Sequence, residues 1–169
     1  LQAGPGCRKH TPVPILGKMF RPLAEQASVP IACHIDHGYS IDECLEGIDN
    51  GFTSVMFDGS KLPISQNIEL TAGLVETAHA AGVSVEGEVG LVGYAEGAAS
   101  AVTAPDEAAR FDRESGVDAL ATSIGNVHLQ TEKTAGIDFA ALAAIEAVTR
   151  QPLVLHGGSG IPIDVRRKL

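Results

Sequence analysis

PIACHIDHGYS, residues 30–40, opens as a buried apolar strand would and then sets His34, Asp36 and His37 within four positions of one another before Gly38. Burying unpaired charge is costly, so these groups either satisfy one another at a surface turn or stand there for chemistry. The same plan recurs in TSVMFD from 53, VSVEGEV from 83, VDALATSI from 117 and PLVLHG from 152, and successive starts lie 23, 30, 34 and 35 residues apart. Each gap leaves room for a helix. Ser40 can cap one with Ile41, Cys44, Leu45 and Ile48 on a single face before Gly51, and Ile68, Ala72, Val75 and Ala78 repeat that spacing up to Gly82. Thr103 with Pro105, Asp106 and Glu107 opens a third helix that stops near Gly116, and Asp138 caps a fourth carrying Phe139, Leu142 and Ile145.

Alternating strands and helices imply a parallel sheet covered by helices. Each strand run turns polar at its C-terminal end: HIDHG, FDGS, EGEVG, SIGNVH and LHGGSG. An open doubly wound sheet gathers its ligand at one switch point, whereas a (β/α)8 or TIM barrel draws groups from many strand ends. Five chemically loaded ends favour the barrel, and no glycine fingerprint for a dinucleotide follows a first strand. Leu1, Gln2 and Ala3 read as the tail of a sixth strand, and RRKL at 166–169 as the start of another helix. The expectation is one α/β barrel domain over residues 1–169, incomplete at both ends.

With 169 residues, 44% apolar and 20% charged, the chain can bury one core. Its apolar runs are short for a membrane span, and LQAGPGCRKH lacks the order of a signal peptide, so a cytoplasmic protein is expected. Cys7, Cys33 and Cys44 are odd in number and form no CxxC pair, which fits a reducing compartment, with Cys33 and Cys44 as core residues. A net charge of −9 disfavours nucleic acid and acidic membranes as partners.

His37, His128 and His156 stand at expected strand ends, and three imidazoles with one open position form a catalytic zinc pattern. Taken singly, each reads as a hydrogen-bonded turn histidine; the barrel alone would bring them together. His10 and His79, in a loop and on a helix, read as solvated. His34 and Asp36 share a strand face, which would bring Asp36 near a substrate bound at His37, or leave it orienting a histidine. HGGSG at 156–160 offers backbone N–H groups and a hydroxyl in front of a helix near Pro162, which suits a phosphate and equally suits a flexible turn. Lys133 could add a cation there or be solvated. Glu86 and Glu88 share a face, with Glu88 a metal ligand, an outer partner or a hydrogen-bonded carboxylate; Asp58 has the same alternatives. Glu96 lies in a glycine-rich stretch suited to a closing loop.

Taken together, HIDHG, MFDGSKLPISQNI, VEGEVGLVG, IGNVH, GIDF and PLVLHGGSGIP resemble, in order and separation, the class II zinc-dependent ketose-bisphosphate aldolases, which include fructose- and tagatose-bisphosphate aldolases. The likeness runs over nearly the whole chain and implies a (β/α)8 barrel present from about strand two to strand seven. It implies one catalytic Zn2+ on His37, His128 and His156, with a monovalent cation as an optional second ion. Asp36 becomes the proton-transferring residue, Glu88 an alternative metal ligand with Asp58 beside it, and Glu96 the loop acid. Gly157, Gly158 and Ser159, with Lys133, would bind the phosphate of dihydroxyacetone phosphate. The implied reaction is reversible cleavage of a ketose 1,6-bisphosphate to that ketone and an aldehyde, glyceraldehyde 3-phosphate, in a homodimer or homotetramer. The family's pattern has glycine after its second zinc histidine, where this chain has Leu129, and GYAEG and the five-residue step to Lys133 also depart from it. A catalytically silent sugar-phosphate-binding relative is the competing reading, and a metal-dependent hydrolase ranks below both.

Overall fold

A computed structural model describes residues 1–94, 100–129 and 136–169. In chain order the elements are β1 (Gln2–Ala3), α1 (Pro5–His10), α2 (Val13–Glu25), β2 (His34–Gly38), α3 (Ile41–Asp49), β3 (Ser54–Phe57), α4 (Ile64–Ala80) and β4 (Ser84–Val89). They continue with β5 (Gly93–Tyr94), α5 (Pro105–Ser115), β6 (Ala119–Thr122), β7 (Val127–His128), α6 (Phe139–Glu146), β8 (Leu153–Val154), a 3-10 turn at Gly158–Gly160 and α7 (Ile163–Arg166).

Six strands form one sheet in the order β1, β2, β3, β4, β6, β8, every neighbouring pair parallel. A doubly wound sheet reverses direction at its switch point, whereas here spatial order follows chain order throughout. The chain is therefore a partial (β/α) barrel. β5 and β7 pair with each other, apart from this sheet.

Register sorts the two faces. Ile35 lies beside Val55, Val55 beside Val85, and Gly87 beside Leu120. The four apolar side chains are fully buried with Phe52, Leu74 and Phe111. Burial of each is worth roughly 1.5–3 kcal/mol, which locks the strand register, since a one-residue slip would turn all of them to the other face. That other face carries His34 and Ser54, paired side by side, and Glu86 and Glu88 farther along. Polar groups thus line the inside of the arc.

Local signals explain the helices. The Ser40 hydroxyl accepts from Glu43 N at 3.2 Å and starts α3, and Asp138 accepts from Ala141 N at 2.9 Å and starts α6. α5 ends on Gly116 at φ +74, a left-handed cap that costs glycine little. Cys33 and Cys44 are buried free thiols, and burial pushes Cys44 up to about 12.

The structure differs from the sequence reading at three points. Residues 5–25 form α1 and α2, and His10 ends α1 rather than lying in a loop; proline at 5, 12, 14 and 22 hides the helical pattern, although proline is tolerated in a first turn. Thr103 does not cap α5, whose N-cap is Ala104; its hydroxyl donates to Val89 O at 2.7 Å and accepts from Ser123 N at 2.8 Å, joining the ends of β4 and β6. His128 lies in β7, beyond the end of β6. Among the described residues no helix is long and apolar enough to cross a membrane.

Candidate metal centre

The site begins with an irregularity in β2. Ile35 pairs with Val55 and Gly38 with Phe57, so residues 35–38 of β2 are matched by residues 55–57 of β3. The extra residue is a bulge, and His37 has φ +52, a left-handed conformation that few side chains adopt. Regular alternation would send Asp36 and His37 to opposite faces. Across the bulge they converge instead, with Asp36 Oδ1 3.8 Å from His37 Nε2.

His156 follows β8 and meets His37 across the arc, its Nδ1 3.1 Å from His37 Nε2. The outer nitrogen of each ring is held by a carboxylate. His37 Nδ1 lies 2.9 Å from Asp58 Oδ2, and His156 Nε2 lies 2.8 Å from Glu86 Oε1. If both outer nitrogens carry the proton they donate, the facing nitrogens present two lone pairs to each other. Asp36 Oδ1 adds a third donor atom 3.7 Å from His156 Nδ1, and it is buried without a hydrogen-bond partner. The two facing lone pairs, with this carboxylate oxygen beside them, are unfavourable unless a cation or a shared proton lies between them. Zinc–nitrogen bonds of about 2.0–2.1 Å at a tetrahedral angle hold two nitrogens roughly 3.3 Å apart, close to the separation here.

Among the described residues the ligand atoms of Asp36, His37 and His156 lie within 4.8 Å of one another, and so do those of His37, Asp58 and Glu88. The His128 ring stands edge-on to His37 with centroids 4.8 Å apart, and 5.8 Å from that of His156. It stands beside the cluster from β7, and neither of the two ligand groups includes it.

Burial and neighbouring charge set the protonation states. Burial, with the adjacent Asp58 charge, raises the Glu88 carboxyl to about 8. Its Oε2 has no hydrogen-bond partner and lies 3.4 Å from His37 Nδ1. Burial opposes ionisation of Asp58 as well, but hydrogen bonds from His37 and Ser60 hold it below the ordinary carboxyl range. Burial lowers His128 to about 4, helped by His37 and His156. Burial also works against a charge on His156, yet its bond to Glu86 and the surrounding carboxylates bring the net shift upward.

Gly157 and Gly158 directly follow His156. Gly157 has φ +71 and packs so closely that a Cβ would lie 2.4 Å from Val127 O, while Gly158 faces open space and Ser159 is exposed. Leu129 follows His128 at φ +55 and is 77% exposed. Glu96 and Lys133 lie outside the described residues.

Sequence reasoning missed several supports. Gln2 Nε2 donates to Asp36 Oδ2 at 2.9 Å, and Asn126 Nδ2 donates to His156 O at 3.0 Å. Arg8 donates to the main chain of Asp36 and His37. Glu86 was visible as the face-mate of Glu88, but its link to His156, 70 positions away, had no local signal.

Imidazoles and carboxylates gathered toward the C-terminal side of a parallel barrel arc form a candidate metal site. The family model for class-II fructose-bisphosphate aldolase matches residues 1–169, and the chain belongs to that family. It is 47% identical over 156 residues to a 6-phospho-5-dehydro-2-deoxy-D-gluconate aldolase of Shouchella clausii, covering 90% of this chain and 53% of that protein. It is 43% identical over 141 residues to the fructose-bisphosphate aldolase of Geobacillus stearothermophilus, covering 81% and 49%. The crystal structure of the YdjI aldolase from Escherichia coli K12 superposes with a TM-score of 0.82 at 34% identity, over 95% of this chain and 57% of that one. The chain thus spans about half the length of the curated relatives it matches.

Proposed function

We propose that the chain carries the metal-binding and proton-transferring part of a zinc-dependent aldolase that cleaves a phosphorylated ketose. The observation that carries this reading is the facing pair of imidazole nitrogens, 3.1 Å apart, with the orphaned Asp36 Oδ1 beside them. His37, His156 and His128 would hold the ion, and Glu88 stands as an alternative ligand. A bound zinc ion supplies Lewis-acid polarisation of a ketone carbonyl.

The rest is the work of the chain's own residues. Asp58 and Glu86 hold the outer nitrogens of His37 and His156, fixing the tautomer that leaves the inner nitrogens free. Asp36, tethered through Oδ2 to Gln2, has Oδ1 free to take the proton of the substrate's aldol hydroxyl in cleavage and return it in synthesis. The backbone around Gly157 and Gly158, with the Ser159 hydroxyl, suits a phosphate anchor, which would fix the ketone end relative to Asp36. Lys133 and Glu96 are assigned as phosphate cation and loop acid by family resemblance.

The relatives' names include an aldolase of a fructose bisphosphate and one of a phosphorylated deoxy-dehydrogluconate, which supports a phosphorylated sugar substrate. The test is zinc content together with retro-aldol activity on fructose 1,6-bisphosphate, tagatose 1,6-bisphosphate and 6-phospho-5-dehydro-2-deoxy-D-gluconate. Stoichiometric zinc and cleavage of one substrate are expected, yielding dihydroxyacetone phosphate. Zinc binding without cleavage of any would favour a silent sugar-phosphate-binding protein. Absence of zinc binding would overturn the reading.

A further inference from the structure

Arg8 lies on α1, away from the metal cluster in sequence, and its side chain is only 8% exposed. A buried guanidinium must place its five N–H groups on acceptors. Nη1 donates to Asp36 O at 2.7 Å and to Ala3 O, and Nη2 donates to His37 O at 2.9 Å. The nearest carboxylate, Glu43 Oε2, is 3.7 Å away and belongs to a half-exposed side chain that also accepts from Tyr39 N. The cation is therefore spent mainly on carbonyl groups.

Which carbonyls it holds matters. Asp36 O belongs to the peptide plane before the His37 Cα, and His37 O to the plane after it. Fixing both planes fixes φ and ψ of His37 together. That residue has φ +52, a conformation costing a non-glycine residue roughly 1–2 kcal/mol, which persists only where surroundings over-determine it. Released from the clamp, the segment would relax toward regular strand, and alternation would turn Asp36 and His37 apart.

We propose that Arg8 is a positioning residue for the Asp36–His37 pair: one guanidinium locks the left-handed bulge that aims a metal ligand and a proton-transferring carboxylate at the same point. The inference rests on the metal-site reading above and extends it to a residue that touches neither ion nor substrate. A lysine cannot replace it, because a single ammonium lacks the planar fork that reaches both carbonyls at once.

The test uses Co2+ as a spectroscopic stand-in for zinc, with affinity read from visible absorption in the unmodified chain, Arg8→Lys and Arg8→Met, and folding checked by circular dichroism. Outer partners of metal ligands typically contribute about 10–100-fold in affinity, so a loss of at least tenfold is expected for Arg8→Met. Partial recovery is expected on adding guanidinium at a concentration too low to unfold the protein, and Arg8→Lys should also bind more weakly. Unchanged affinity in both folded variants, or a loss that guanidinium does not recover, would overturn the proposal while leaving the metal site standing. If Arg8→Met does not fold, Arg8→Lys decides alone. No Co2+ binding by the unmodified chain would instead overturn the metal-site reading itself, and this inference with it.

Discussion

Glu86 Oε1 lies 2.8 Å from His156 Nε2, and that one contact decides which nitrogen of the ring faces His37. A carboxylate only accepts, so it holds the proton on Nε2 and leaves Nδ1 free. Without a bound ion the same carboxylate also favours, against burial, a second ring proton on Nδ1, which a metal would have to displace.

Glu86→Gln should therefore weaken metal binding without removing any ligand. The amide can present its NH2 to Nε2, which moves the ring proton to Nδ1 and blocks the inward nitrogen. A loss of about 10–100-fold in zinc affinity is expected. Competition with a chromophoric chelator measures it, and unchanged affinity would separate Glu86 from the site.

Asp36→Asn should split chemistry from binding. The inner oxygen or amide stays near His37 and His156, but the side chain no longer accepts a proton. Turnover should fall by about 10²–10⁴-fold, the usual worth of a general acid–base group, with zinc content preserved. Steady-state kinetics beside metal analysis checks both halves; retained turnover would remove Asp36 from proton transfer.

The metal-free protein should lose stability as pH rises from 6.5 to 8. Glu88 is raised from 4.5 to about 8, so its stabilising protonation is complete below 4.5 and lost through 8. His128 is lowered from 6.5 to about 4, so its contribution is present above 6.5 and lost as pH falls toward 4. The two oppose each other at intermediate pH, and above 6.5 the Glu88 loss stands out, joined by that of the raised His156. The slope from one group is at most ~1.4 kcal/mol per pH unit. Urea melts of chelated protein should reveal it, and Glu88→Gln should flatten it.

Thr103→Val should destabilise the fold by about 1–3 kcal/mol. The substitution keeps the shape but strands Ser123 N and Val89 O, both served by the Thr103 hydroxyl inside the protein. Denaturant midpoints would give the value, and a change under a few tenths of a kcal/mol would mean that water takes over both groups.

The barrel framework was legible because its signals are local. Ser40 and Asp138 cap helices by their own hydroxyl and carboxylate, and the apolar runs around Ile35, Val55, Val85 and Leu120 carry strand character. His37 and His156 could be paired only by assuming closure of the sheet, and they meet although 119 positions separate them. What stayed hidden depends on backbone geometry. Nothing in HIDHG announces a bulge, and Arg8 acts on carbonyl oxygens, which every residue possesses and no pattern marks. α1 and α2 escaped because their prolines read as breakers when several sit where helices begin.

Asp36 and His37 are neighbours in the chain, and the bulge turns both side chains toward one point, so a carboxylate and an imidazole reach the site from a single short stretch of backbone. His156 arrives from beyond β8, four strands from β2 in the sheet, so any shift of one strand against the other would change its distance from that pair and leave their own backbone link intact.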